Sequence, residues 1–364
     1  MHIADLLARR PVPAAGVFLT LTRRCPLSCA HCSTNSMRDS EEHSAEIFSE
    51  FAATFSPEDH PEAVWLTGGE PLLRPDLVEQ ITRASHAAGA KVVLITGLYF
   101  ARRDGNVAPR LLRAMLAVDH VIVSQDIFHE REVPRAAAFA TVRTLVAAGQ
   151  DVSFQVVGRD ADDPYLAEIT AQIRQDFRDG VPALVAPLGA AGRATAWLPR
   201  RQPARPHRDE QPVPAPCTMA AWPVLTFDGT VVACCRQRVV DGPAPDHLRL
   251  GRAPRQSWPE VARAVRERPI LRALRVIGPQ SLAHAGGALP AAAGYCGTCE
   301  TLSDSTGPTE AATELVGRPT FPVMESQVRQ MQLAAGPEAF ARRYGISRYA
   351  HMLTLGHHAP VEVG

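Results

Sequence analysis

The sequence predicts an α/β fold built on a parallel sheet, and three observations lead there. Six short apolar, β-branched runs recur between residue 14 and about 190: Val17–Thr22, Val64–Thr67, Val92–Thr96, Val121–Ser124, Val152–Val157 and Ala183–Ala186. Amphipathic stretches near 42–55, 75–88, 108–117, 135–148 and 163–177 lie between them, at the spacing of crossover helices between parallel strands. Finally, 364 residues with 46% apolar content can bury a sizeable core. An open doubly wound sheet and a partial barrel share this local pattern, and periodicity does not separate them.

The chain exceeds a typical single domain, so a barrel-sized domain with a smaller one is expected. Lys+Arg and Asp+Glu balance at 38 each, which argues against nucleic acid or an anionic membrane as partner. Lys91 is the only lysine, so lysine is scarce as a catalytic base. No run approaches the ~20 apolar residues of a membrane span. The start, MHIADLLARRPVPAAG, lacks the features of a secretion signal. The expected location is therefore the cytoplasm. Eight cysteines should be reduced there, and their grouping favours metal over disulfides.

The organisation reads as an N-terminal segment (1–13), the βα region (14–198) and a proline-rich linker (199–216, PRRQPARPHRDEQPVPAP). A second Cys-bearing segment (217–305) follows, then a helical extension (306–364) patterned at Val323–Ala335 and Pro337–Tyr344. His357 and His358 lie in its tail and read as surface residues.

The chemistry is announced by RRCPLSCAHCS, which spaces Cys25, Cys29 and Cys32 as C-x3-C-x2-C just after the first strand. Three thiolates on one loop can hold three irons of a [4Fe–4S] cluster and leave the fourth iron open to a substrate. With His31 nearby, the same residues could form a closed zinc site instead. A second motif, TGGEP at Thr67–Pro71, ends the second strand. Gly68 and Gly69 let backbone approach a ligand closely, and Glu70 is an acceptor for an ammonium group.

Together these motifs resemble the radical S-adenosylmethionine (SAM) superfamily. The resemblance implies a partial (β/α)6 TIM-like barrel whose open iron chelates SAM. It also implies reductive cleavage of SAM to methionine and a 5′-deoxyadenosyl radical, with an electron donor such as flavodoxin or ferredoxin. Gly68, Gly69 and Glu70 would meet the SAM amino group, and Ser124 and Asp126 the ribose. Gln155 would lie near the adenine, and Arg193 is a candidate for the SAM carboxylate. Two positions depart from the family pattern: His31 replaces the usual aromatic before the last cysteine, and Thr96-Gly97 lacks the Asn of Thr-Asn-Gly.

Five cysteines remain. Cys217, Cys234, Cys235 and the pair Cys296-x2-Cys299, with a hairpin turn at Asp228-Gly229, resemble the auxiliary-cluster domain called SPASM or its shorter form, twitch. That resemblance implies one auxiliary [4Fe–4S] cluster on Cys217, Cys234, Cys296 and Cys299. A zinc ribbon uses similar chemistry. Cys235 is left over as a swapped ligand, a packed thiol or a hydrogen-atom donor. Phe128-His129-Glu130 follows the fourth strand, where a proton acceptor or substrate contact can sit.

The expected function is hydrogen-atom abstraction from a peptide or small molecule, in ribosomal-peptide or other natural-product maturation by oxidation, crosslinking or epimerisation. Only 24 residues precede the cysteine loop, so a peptide substrate would call for a separate leader-peptide recognition protein or another docking surface. Alternatives are an aminoglycoside or sugar dehydrogenase or epimerase of the same superfamily and, in another class, a zinc-stabilised binding protein.

Overall fold

All six predicted strands form within two residues of their expected bounds, in a computed structural model that describes residues 1–101, 106–198, 214–288 and 294–357. They are β1 (Gly16–Thr20), β2 (Ala63–Thr67), β3 (Lys91–Thr96), β4 (His120–Gln125), β5 (Val152–Gly158) and β6 (Ala183–Pro187). Each pairs in parallel with the next. A doubly wound sheet reverses strand order at a switch point. Here the order runs 6-5-4-3-2-1 without reversal, which is the winding of a barrel.

Helix α1 (Ile3–Ala8) precedes the sheet, and α2 (Glu46–Ala52), α3 (Pro75–Ala88), α4 (Pro109–Ala117), α5 (Arg135–Ala147) and α6 (Pro164–Phe177) cross between strands. Helix α2 is shorter than its apolar pattern suggests. Arg74 takes the Glu42 carboxylate and the His43 carbonyl, and so holds residues 42–43 in the loop. The crossover helices pack Phe48, Val78, Ile81, Met115 and Phe139 against Val17, Leu66, Leu94, Val123 and Phe154 in one core.

The opposite, concave face carries the alternate strand residues. Trp65, Val93 and Ile122 form a second core there with Ile3, Leu6 and Leu7 of α1 and with Ala341, Ala350 and Leu353 from the C-terminal part. One end of the half-barrel is thereby plugged, and the strands' C-terminal ends are left as its mouth.

The chain then continues the same sheet. Strand β7 (Val224–Leu225) pairs in parallel with β1, while β8 (Thr230–Val232) and β9 (Arg249–Arg252) add antiparallel strands, for nine in all. The predicted Asp228-Gly229 turn is present. Asp228 Oδ1 accepts from the Thr230 amide at 2.9 Å, and Gly229 has φ +90°. The Cys-bearing hairpin thus extends the barrel's own sheet. Gly16 makes room for this: a Cβ there would lie 2.4 Å from the Trp222 ring.

Helices α7 (Gln237–Asp241), α8 (Trp258–Glu267), α9 (Pro269–Val276) and α10 (Gly278–Ala285) follow. They lead to α11 (Gly294–Glu300), α12 (Gly307–Gly317), α13 (Phe321–Ala334) and α14 (Gly336–Tyr344). The last two match the sequence patterns. After α14, the Ile346 amide donates to the Val185 carbonyl at 2.9 Å and covers part of the β6 edge. Most of the proline-rich linker (199–213) and His358 lie outside the described residues.

Candidate functional site

The cysteine loop leaves the C-terminal end of β1 and is held on two sides. On one side, the Gly69 amide donates to the Thr22 carbonyl at 2.7 Å and the Glu70 amide to the Arg24 carbonyl at 2.9 Å. A Cβ on Gly68 would lie 2.4 Å from the Thr22 oxygen, and one on Gly69 would lie 2.2 Å from the Arg24 oxygen. Both glycines are thus required by the close approach of two backbones, with Gly68 also at φ +139°.

On the other side, residues 192–197 close over the loop. Gly192, at φ +51°, sits where a Cβ would meet the Cys32 and Ser33 carbonyls at 2.2 and 2.4 Å. Arg193 donates from its backbone to Cys32 O, from Nε to Cys29 O at 2.9 Å and from Nη1 to Ser36 O at 2.6 Å. Trp197 Nε1 donates to Ala30 O at 2.9 Å. Arg193, a sequence candidate for the SAM carboxylate, therefore spends Nε and Nη1 on the carbonyls of the cysteine loop. The free carbonyls of an irregular loop are the stronger local demand on a guanidinium fork.

Glu70 also turns inward. It is 0% exposed, and its carboxylate accepts from the amides of Leu72 and Gly97 and from Thr96 Oγ1. Burial raises its pKa above the carboxylate range, while the two amides work the other way. The side chain thus ties β2 to the end of β3, which makes Thr96-Gly97 part of the site despite the missing Asn.

Ser124 and Gln155 are register partners on β4 and β5, half-buried on the concave face near the mouth. Asp126, just past β4, is 1% exposed. Its Oδ2 lies 3.0 Å from His31 Nε2 and 3.2 Å from His129 Nδ1. Burial opposes the Asp126 charge, but the two imidazoles outweigh it and hold its pKa well below the usual range. Burial likewise lowers His129, yet its hydrogen bonds to Asp126 and Cys29 win and push it up to about 10. His31 stacks on Phe128 with ring centroids 4.8 Å apart. His31, Asp126 and His129 thus link the end of β4 to the cysteine loop. Glu130 points elsewhere, accepting from Gln125, Arg135 and Tyr165.

The other five cysteines come from three elements. Cys217 precedes a short 3-10 turn, Cys234 and Cys235 follow β8, and Cys296 and Cys299 lie one turn apart on α11. Cys234 lies in electrostatic reach of Cys235, Cys217 and Cys299, and Cys296 of Cys217 and Cys235, so all five thiols are close neighbours. The Arg236 amide reaches Cys234 Sγ at 3.4 Å, and the amides of Met219 and Ala220 reach Cys217. Burial raises the pKa of all four thiols, and it pushes Cys25 up to about 12. Metal binding must then displace these protons.

Residues 19–171 match the family model of the Radical SAM superfamily. Over 123 residues the chain is 39% identical to the PqqA peptide cyclase of Ruegeria pomeroyi, a stretch covering 31% of this chain and 29% of that relative. The chain therefore spans under a third of that curated relative's length. Among solved structures it resembles Streptococcus suis SuiB bound to S-adenosylmethionine at 11% identity and TM-score 0.44, covering 64% of this chain and 63% of that one. It also resembles anSMEcpe with bound AdoMet and a peptide at 11% identity and TM-score 0.47, covering 86% and 98%.

Proposed function

We propose that this protein is a radical SAM enzyme that abstracts a hydrogen atom from a peptide during maturation of a ribosomal-peptide product. One observation carries the reading: the Cys25, Cys29 and Cys32 loop stands at the mouth of the half-barrel, with the Gly68-Gly69 backbone fitted against it. The family match over this region supports the reaction class, and the relative named for cyclising the peptide PqqA supports the substrate class.

When bound, a [4Fe–4S] cluster and SAM supply reductive cleavage of SAM and a 5′-deoxyadenosyl radical. The chain's own residues supply the rest. Cys25, Cys29 and Cys32 would hold three irons, while Arg193 and Trp197 fix the loop by its carbonyls. Ser124 and Gln155 offer polar contacts on the concave face to a nucleoside. Asp126 orients His31 and His129 beside the loop. Cys217, Cys234, Cys296 and Cys299 fit an auxiliary cluster, and the amides aimed at Cys217 and Cys234 suit thiolate ligands.

The test is anaerobic purification with metal analysis. We expect brown protein with about eight irons per chain, SAM cleaved to 5′-deoxyadenosine on reduction, and a mass change in a precursor peptide encoded beside the gene. Colourless protein with stoichiometric zinc would overturn the reading.

A further inference from the structure

Two arginines among the described residues are buried, and they are treated differently. Arg275, 6% exposed, donates to the Val265 and Ala220 carbonyls and faces Glu325. Arg10, 2% exposed, has no such partners. Its Nη2 lies 2.8 Å from Met219 Sδ and 3.6 Å from Cys235 Sγ, and its guanidinium stacks 4.6 Å from the Trp222 ring and 5.4 Å from Phe18. Its Nη1 is buried with no hydrogen-bond partner. Neighbouring Arg9, by contrast, makes a two-pronged pair with Glu62 at 2.7 and 2.6 Å.

A buried cation with an orphaned donor costs several kcal/mol unless an anion answers it. Aromatic faces recover part of that cost, and thioether sulfur is a weak acceptor. The guanidinium touches neighbours of two auxiliary cysteines: Met219 is two residues past Cys217, and Cys235 adjoins Cys234 and contacts Met219 at 3.7 Å. Arg236 is the cation beside Cys296 and Cys299. Four thiolates around an iron–sulfur cube give a centre with net negative charge, the class of anion this position lacks.

We infer that Arg10 is a buried counter-cation of the auxiliary cluster, additional to Arg236, and raises its reduction potential, with Cys235 the unligated sulfur between them. The inference rests on the auxiliary-cluster reading above. It brings the N-terminal segment into that centre and assigns the spare cysteine a place. A fixed positive charge beside the cluster favours the reduced, more negative form, which suits a centre that accepts an electron.

The test uses the full chain with Cys25, Cys29 and Cys32 replaced by Ala, so that the auxiliary cluster alone gives the paramagnetic signal. Arg10→Met should make its midpoint potential more negative by at least tenfold in the reduction equilibrium, about 59 mV for one electron. Arg10→Lys, which keeps the charge, should fall between, and Cys235→Ala should retain four irons at this centre. An unchanged midpoint in Arg10→Met protein with its cluster intact overturns the inference and leaves the auxiliary-cluster reading standing. Absence of any iron in this background overturns both. If Arg10→Met does not fold, Arg10→Gln is compared with Arg10→Lys in the same background. The Gln variant is expected at the more negative midpoint, and equal midpoints overturn the inference.

Discussion

The two groups of cysteines are built in opposite ways. Cys25, Cys29 and Cys32 occupy one loop, and the fold acts on that loop's backbone: Gly68 and Gly69 press against it, Gly192 leaves room for its carbonyls, and Arg193 and Trp197 donate to them. The C-terminal group is gathered from three elements, and there the fold acts on the sulfurs themselves through amides, burial and Arg10. A loop that brings its own ligands needs only to be held in shape at an open mouth. A centre assembled from distant segments depends on the whole architecture that brings those segments together.

The sharpest way to break this comparison is to remove one ligand from each group. Cys29→Ala should abolish 5′-deoxyadenosine formation and lose about half the iron. Cys299→Ala should also lose about half the iron yet retain cleavage uncoupled from product. Equal loss of cleavage in both would make the two groups a single functional unit, and iron analysis with a 5′-deoxyadenosine assay reads the difference.

A smaller effect should come from the backbone packing specific to the first group. Gly192→Ala places a methyl group against two carbonyls at φ +51° and should destabilise the protein by about 1–3 kcal/mol. Its signature is faster iron loss from the first centre in chelator challenge, with the second unaffected. Smaller still, Trp197→Phe removes one hydrogen bond and should cost about 1 kcal/mol, seen as a lowered melting temperature with cleavage retained.

The alternating runs from Val17 to Ala186 revealed the six strands because β-branched runs and crossover helices obey local rules. The cysteine loop and Gly68-Gly69 were legible for the same reason, since each is a contiguous motif with one chemical use. Strand winding was not legible in the periodicity, which a barrel and a doubly wound sheet share; the barrel was expected from the motif resemblance alone. Arg193 stood in the sequence as a candidate for the SAM carboxylate; its carbonyl partners lie some 160 positions earlier in the chain. Arg10 carried no signal at all. Its burial depends on Trp222, Met219 and Cys235, more than 200 positions away, and only a register of sheet strands brings them together.

The parallel pairing of β1 with β7 has a mechanical consequence. Phe18 and Leu19 register against Val224 and Leu225, so the strand that delivers the first cysteines and the hairpin that delivers Cys234 are rungs of one ladder. The two groups of cysteines are thereby tied to one hydrogen-bonded sheet, and strain at one group is carried to the other along it.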